Sequence, residues 1–192
     1  MRGIITPKNY ITYERIDNPV IFLGGPIGNA PKWHPEAIKL LFSKKSDLII
    51  VDPSAWYGLE EEFKGLGIEG ENIGEFLENN PDFLNKYIDE KRQRAWERYY
   101  LDIARKVGGI LFWLPGEDKS RTGNYVEGKT YGAMTRIELG QELSKYNGRL
   151  AIGTDGNFPE FRTIEIDIKM DAPNLEVQNT LTDTCLQVLK LL

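Results

Sequence analysis

Four acidic side chains are the parts of this sequence best placed for chemistry. Asp52 ends the apolar run Leu48-Ile49-Ile50-Val51, Glu97 and Asp102 share one amphipathic segment, and Glu138 opens another. Paired carboxylates suit glycosyl transfer, in which one attacks the anomeric carbon and the other handles the leaving group's proton. Other chemistries have less to build on. The one histidine, His34, sits between Trp33 and Pro35, which suggest a loop or a helix start, and is expected to be a partly exposed loop residue. A Ser-His-Asp triad or a multi-histidine metal site would have to be built around it alone. No two of His34, Cys185 and the acids show ligand spacing, so no metal is expected. Neither a G-x-G-x-x-G nor a Walker sequence occurs, so no dinucleotide or P-loop cofactor is expected.

The elements that must hold these acids can be read from hydrophobic pattern. Val20-Ile21-Phe22-Leu23 runs into Gly24-Gly25-Pro26, and Ile110-Leu111-Phe112-Trp113-Leu114 is stopped by Pro115-Gly116. Together with Leu48–Val51 and Arg149–Gly153 these read as strands buried on both faces. The two glycines allow either a tight turn or close approach to a ligand. Asp52 is placed to bond a sugar hydroxyl or to cap the loop after it.

Helices are expected over Pro35–Ser43, from Pro81 through Arg105, from Glu138 onward with Leu139, Leu143 and Tyr146 as its stripe, and over Asn179–Leu192. Glu97 lies to one side of the stripe Trp96, Tyr100, Ile103, Val107 and Asp102 to the other, so the two cannot enter one pocket. Lys91-Arg92-Gln93-Arg94 reads as a solvated helix face. Thr163–Met170 alternates and reads as an edge strand. The Gly- and Glu-rich stretch from Ser54 to Pro81 reads as an insertion or lid. The expectation is an α/β chain of one domain, residues 1–192, with a doubly wound, mostly parallel sheet of about five strands.

Glu138 also has a structural alternative. Thr135-Arg136-Ile137-Glu138 has the spacing of a capping box, in which Thr135 and Glu138 satisfy each other's backbone N–H groups. The chain carries 24 Lys+Arg and 29 Asp+Glu, a net charge of −5, which argues against a nucleic-acid polymer as partner. The single Cys185 fits a reducing compartment. With no apolar run of ~20 residues and no signal-like N-terminus, a cytoplasmic protein without a membrane partner is expected.

Phe22-Leu23-Gly24-Gly25-Pro26-Ile27 with Trp33, Trp96-Glu97, Ile110–Pro115 and Thr135-Arg136-Ile137-Glu138-Leu139-Gly140 together resemble the nucleoside 2-deoxyribosyltransferase-like family. The resemblance spans roughly residues 20–160, and Glu-Leu-Gly after a buried strand is its most specific piece. It implies a flavodoxin-like (Rossmann-like) sheet, a homo-oligomer, a nucleoside or nucleotide substrate and cleavage of the N-glycosidic bond of 2′-deoxynucleosides. It makes Glu138 the nucleophile, kept ionised by the positive end of its own helix, and Glu97 the assisting acid, with Asp102 second. Gly24, Gly25, Pro26, Asp52 and Arg136 fall in the substrate-binding set, with Trp33 and Trp113 as stacking or pocket walls, or as core. Where well-studied transferases carry an Asp about six residues before the nucleophile, this chain has Gly132. A nucleoside 5′-monophosphate N-glycosidase, with Ser120-Arg121-Thr122 as phosphate cradle, and a non-catalytic nucleotide-binding module are the alternatives.

Overall fold

The computed structural model describes residues 3–7, 9–54, 71–72, 92–120 and 130–192, with 9, 71, 72 and 92 given by backbone alone. Its strands are β1 (Gly3–Ile5), β2 (Asn9–Tyr10), β3 (Val20–Gly24), β4 (Ile49–Val51), β5 (Glu71–Asn72), β6 (Gly108–Leu114), β7 (Leu150–Thr154) and β8 (Val177–Gln178). Its α-helices are α1 (His34–Lys44), α2 (Arg92–Val107), α3 (Ala133–Leu143), α4 (Phe161–Asp171) and α5 (Leu181–Leu189).

Six strands form one parallel sheet in the order β1-β4-β3-β6-β7-β8. Every residue of β3 and of β6 is buried, as expected of strands covered on both sides. Alternation along them sorts the core into two layers. Val20, Phe22, Ile110, Phe112, Leu114 and Ile152 pack with Trp96 and Tyr100 of α2, Leu139 of α3 and Ile164 of α4. Ile21, Leu23, Leu111, Trp113 and Ala151 face the other way, onto Ile38 and Leu41 of α1 and Cys185 and Val188 of α5. This is the doubly wound, flavodoxin/Rossmann-like α/β arrangement. After β3 the chain steps outward to β4 and then returns to add β6 on the opposite side. The carboxyl ends of β3 and β6 therefore flank the topological switch point, where sheets of this kind open a crevice.

Three expectations are corrected. Thr163–Met170 lies in α4, not in a strand: Ile164 and Ile168 are four apart and buried, while Ile166 between them is 51% exposed. An I-x-I-x-I run satisfies the helical 0,+4 spacing as well as the strand period, and here the helix wins. The sheet edge is taken instead by β8, paired to β7. Helix α3 begins five residues before Glu138, with Gly132 at its N-cap in a left-handed conformation (φ 66°) and no side-chain cap, so the capping box is not formed. A β-carbon on Gly132 would lie 2.7 Å from the Phe158 ring, so this turn accepts only glycine. Tyr146 lies beyond the end of α3.

Helix α2 is described from Arg92, and the earlier part of the expected 81–105 helix lies outside the described residues, as does most of the 57–81 insertion. Within that insertion, β5 pairs antiparallel with β2. The N-terminal arm is fastened to α2 through Ile11 N–H, which donates to the Tyr100 hydroxyl at 2.7 Å. Among the described residues no helix is long and apolar enough to cross a membrane.

Candidate active site

Helix α2 leads directly into β6, and α3 lies between the parallel neighbours β6 and β7. Glu97 on α2 and Glu138 on α3 thereby face each other. They are 7% and 8% exposed, and one guanidinium nitrogen joins them. Arg94 Nη1 donates to Glu97 Oε2 at 2.8 Å and also to Glu138 Oε1. Gln93 Nε2 donates to Glu97 Oε1 at 3.0 Å. Burial raises the Glu138 pKa, the charge of Glu97 raises it further, and Arg94 opposes both.

Two sequence-based readings change here. Arg94 is no part of a solvated face, since its side chain is 24% exposed and held between two carboxylates. The segment's charge pattern hid this, although Gln93 and Arg94 stand at i,i+4 and i,i+3 from Glu97, spacings that allow contact on a helix. Glu138 is the sixth of eleven residues of α3, beyond the first turn where the helix dipole acts, so Arg94 and not the helix terminus offsets its charge.

Asp102 points elsewhere. It is paired to Arg105 Nη1 at 2.8 Å and to Lys106 Nζ at 2.6 Å, with its side chain 48% exposed. Arg105 in turn makes a bidentate contact with buried Glu142, at 2.8 and 2.7 Å from Nη2 and 3.0 Å from Nε. Two arginine–carboxylate bridges thus stitch α2 to α3, one at each end of their contact.

The glycine turn after β3 serves the protein's own packing. A β-carbon on Gly24 would lie 2.6 Å from the Phe112 ring, and one on Gly25 (φ 152°) 2.4 Å from the Trp113 carbonyl oxygen. The Trp33 indole N–H donates to the Pro26 carbonyl at 3.1 Å, and Trp33 and Trp113 are both buried in the second core layer. These tryptophans form the wall behind the turn.

His34 is not a loop residue: it is 2% exposed at the first turn of α1, its ring stacked on Trp33 at 3.7 Å and its Nε2 3.9 Å from Asp52 Oδ1. A Trp-His-Pro sequence at a chain turn carries no periodicity, so its burial was not legible. Asp52 caps the turn after β4, accepting from Ser54 N–H at 2.9 Å and from the Ser54 hydroxyl at 2.8 Å. Its complete burial pushes its pKa up to about 6 against the pull of those bonds.

Arg136 holds loops together. Nη1 donates to the Tyr131 carbonyl, Nη2 donates to the Pro159 carbonyl at 2.7 Å, and the guanidinium lies over the Phe158 ring at 4.7 Å. Ser120 is bound to Asp118, its hydroxyl at 2.6 Å from Oδ1, while Arg121 and Thr122 lie outside the described residues.

Of the sequence-selected residues, the structure brings together Glu97 and Glu138. It places Gly24, Gly25, Pro26, Asp52 and Trp113 at the carboxyl ends of β3, β4 and β6, Trp33 at the start of α1 and Arg136 in the first turn of α3, its guanidinium on the loops that flank that helix. Among the described residues no group of three or more His, Cys, Asp or Glu is arranged to hold a metal ion. Comparison with protein-family models, with curated proteins and with solved structures finds no match to the chain.

Proposed function

We propose that this chain is a nucleoside 2-deoxyribosyltransferase-like enzyme that cleaves the N-glycosidic bond of 2′-deoxynucleosides and passes the sugar to another base. The observation that carries this reading is the buried Glu97–Arg94–Glu138 arrangement between α2 and α3. One guanidinium nitrogen bonded to both carboxylates holds the two close together, and a close carboxyl pair is the arrangement used by retaining glycosidases. Arg94 offsets charge at Glu138, and burial strips the carboxylate of the water that would weaken its attack.

In this mechanism ionised Glu138 attacks C1′ and the base departs with a proton supplied through Glu97. A second base or water then releases the deoxyribosyl-enzyme with retention. Met134 and Ile137, 49% and 51% exposed on the helix that carries Glu138, support a homo-oligomer in which that helix lies at an interface.

Incubation with deoxyinosine and free adenine tests the reading. Deoxyadenosine means transfer, and hypoxanthine with free sugar means hydrolysis. No change, with deoxyinosine monophosphate left intact as well, points to a binding module and overturns the enzyme.

A further inference from the structure

The two carboxylates of the site do not meet the same donors. Glu97 accepts at both oxygens, from Gln93 at 3.0 Å and from Arg94 at 2.8 Å, whereas Glu138 accepts from Arg94 and its carboxyl hydrogen-bonds to Glu97 itself. The side chains of both are about nine-tenths withdrawn from water, with a single guanidinium between them. Two full negative charges here would exceed the positive charge available, so the pair is most stable holding one proton. That proton settles on the carboxylate whose charged form is less well solvated by donors, and Gln93 makes Glu97 the better-solvated one.

We propose that Gln93 is a positioning residue that, by bonding Glu97, places the single proton of the resting site on Glu138, and that this proton becomes the one delivered to the departing base. The proposal rests on the reading of Glu138 as nucleophile. The step balances without a co-reactant. The proton crosses from the Glu138 carboxyl to Glu97. The freed Glu138 oxygen forms a bond to C1′ as the C1′–N bond breaks, and the electron pair of that bond stays on the base nitrogen. The nitrogen takes the proton from Glu97.

The other charged groups near the pair are committed elsewhere. On α3, Arg136 is bound to the carbonyls of Tyr131 and Pro159, and Glu142 is bound to Arg105. From α4, Asp167 lines a separate cavity of 140 Å³ together with Arg136, Leu139 and Gly140. On α2, Arg98, Asp102 and Arg105 line an outer groove, and β3 carries no charged residue. The raised pKa of Glu138, from burial and then Glu97, agrees with this placement.

The test is a titration of carboxyl-labelled glutamate in the intact protein, with the pH profile of kcat/KM beside it. Gln93→Met should lower the Glu138 midpoint by about half a unit to one unit, the worth of one hydrogen bond, and carry the alkaline limb of the profile with it, because loss of that proton as pH rises removes the one the base must receive. Arg94→Gln should raise the midpoint, and Glu97→Gln should bring it back toward the ordinary glutamate range. The proposal is overturned if Gln93→Met moves neither midpoint nor limb, or if the resting proton titrates from Glu97. Gln93 is half-buried on a helix surface, and methionine keeps helix propensity, so this variant folds even if Arg94→Gln does not. The titration does not depend on turnover. A protein that titrates as stated yet cleaves no nucleoside keeps the proton placement and loses the enzyme.

Discussion

Replacing Glu138 by Gln separates a residue kept for chemistry from one kept for the fold. Unfolded, the carboxyl titrates near ~4.3. Folded, burial and then the charge of Glu97 hold its pKa above the ordinary range, with Arg94 opposing. At low pH both states are protonated and the group is neutral toward stability. As pH rises past the unfolded value, the unfolded chain releases its proton while the folded one retains it. Stability therefore falls by about 1.4 kcal/mol per unit of elevation until the folded pKa is reached, and stays level above it. At 8% exposure solvent screens this little.

Glutamine cannot ionise, and its amide oxygen still accepts from Arg94. With the Glu138 pKa pushed up to about 8, Glu138→Gln gains on the order of a few kcal/mol at neutral pH. At roughly 2–4 °C per kcal/mol this is a rise of several degrees in Tm. Thermal melts at about pH 4 and about pH 8 should show the two proteins alike at the lower pH and the variant more stable at the higher. A Gln variant less stable than the parent at the higher pH refutes the reasoning, since the carboxylate would then be contributing to the fold through Arg94.

Other substitutions follow from the same geometry. Glu97→Gln should lower turnover by at least ~10²-fold, as for a positioned acid–base group, while Asp102→Asn, exposed and paired outward, changes it little, and steady-state kinetics of both variants decide this. Gly25→Ala should cost about 1–3 kcal/mol in denaturant unfolding, because its β-carbon would meet the Trp113 carbonyl oxygen at 2.4 Å and the backbone must shift. Arg105→Met should destabilise by about 3–5 kcal/mol by leaving buried Glu142 without its cation, with cleavage per folded molecule unchanged by activity assay.

The sheet was legible because its strands announce themselves. Ile110–Leu114 and Val20–Leu23 are unbroken apolar runs that end in Pro or Gly, and both are central strands. The stripe of α2 was equally clear, and with it the placing of Glu97 and Asp102 on opposite sides. Short or ambiguous patterns carried less. The isoleucines of α4 fit two periods, and only the geometry of the sheet edge decides between them. Charge contacts between elements were the least visible. Arg94 looks like one more basic residue in a basic cluster until α3 brings Glu138 against it, and Glu142 draws Arg105 inward in the same way. The burial of His34 depends on Asp52 reaching it from the end of β4 while its neighbour Trp33 stacks on its ring. Such pairings arise from topology, and a linear pattern does not record them.

The central claim is that Glu138 forms a covalent bond to the sugar. Rapid acid quench of the protein during turnover of deoxyinosine, followed by peptide mass mapping, tests it directly. The account predicts a deoxyribosyl increment on the peptide containing Ile137-Glu138-Leu139, absent from Glu138→Gln. Hypoxanthine released at an undiminished rate with no increment on that peptide, or an increment on another acid, contradicts it.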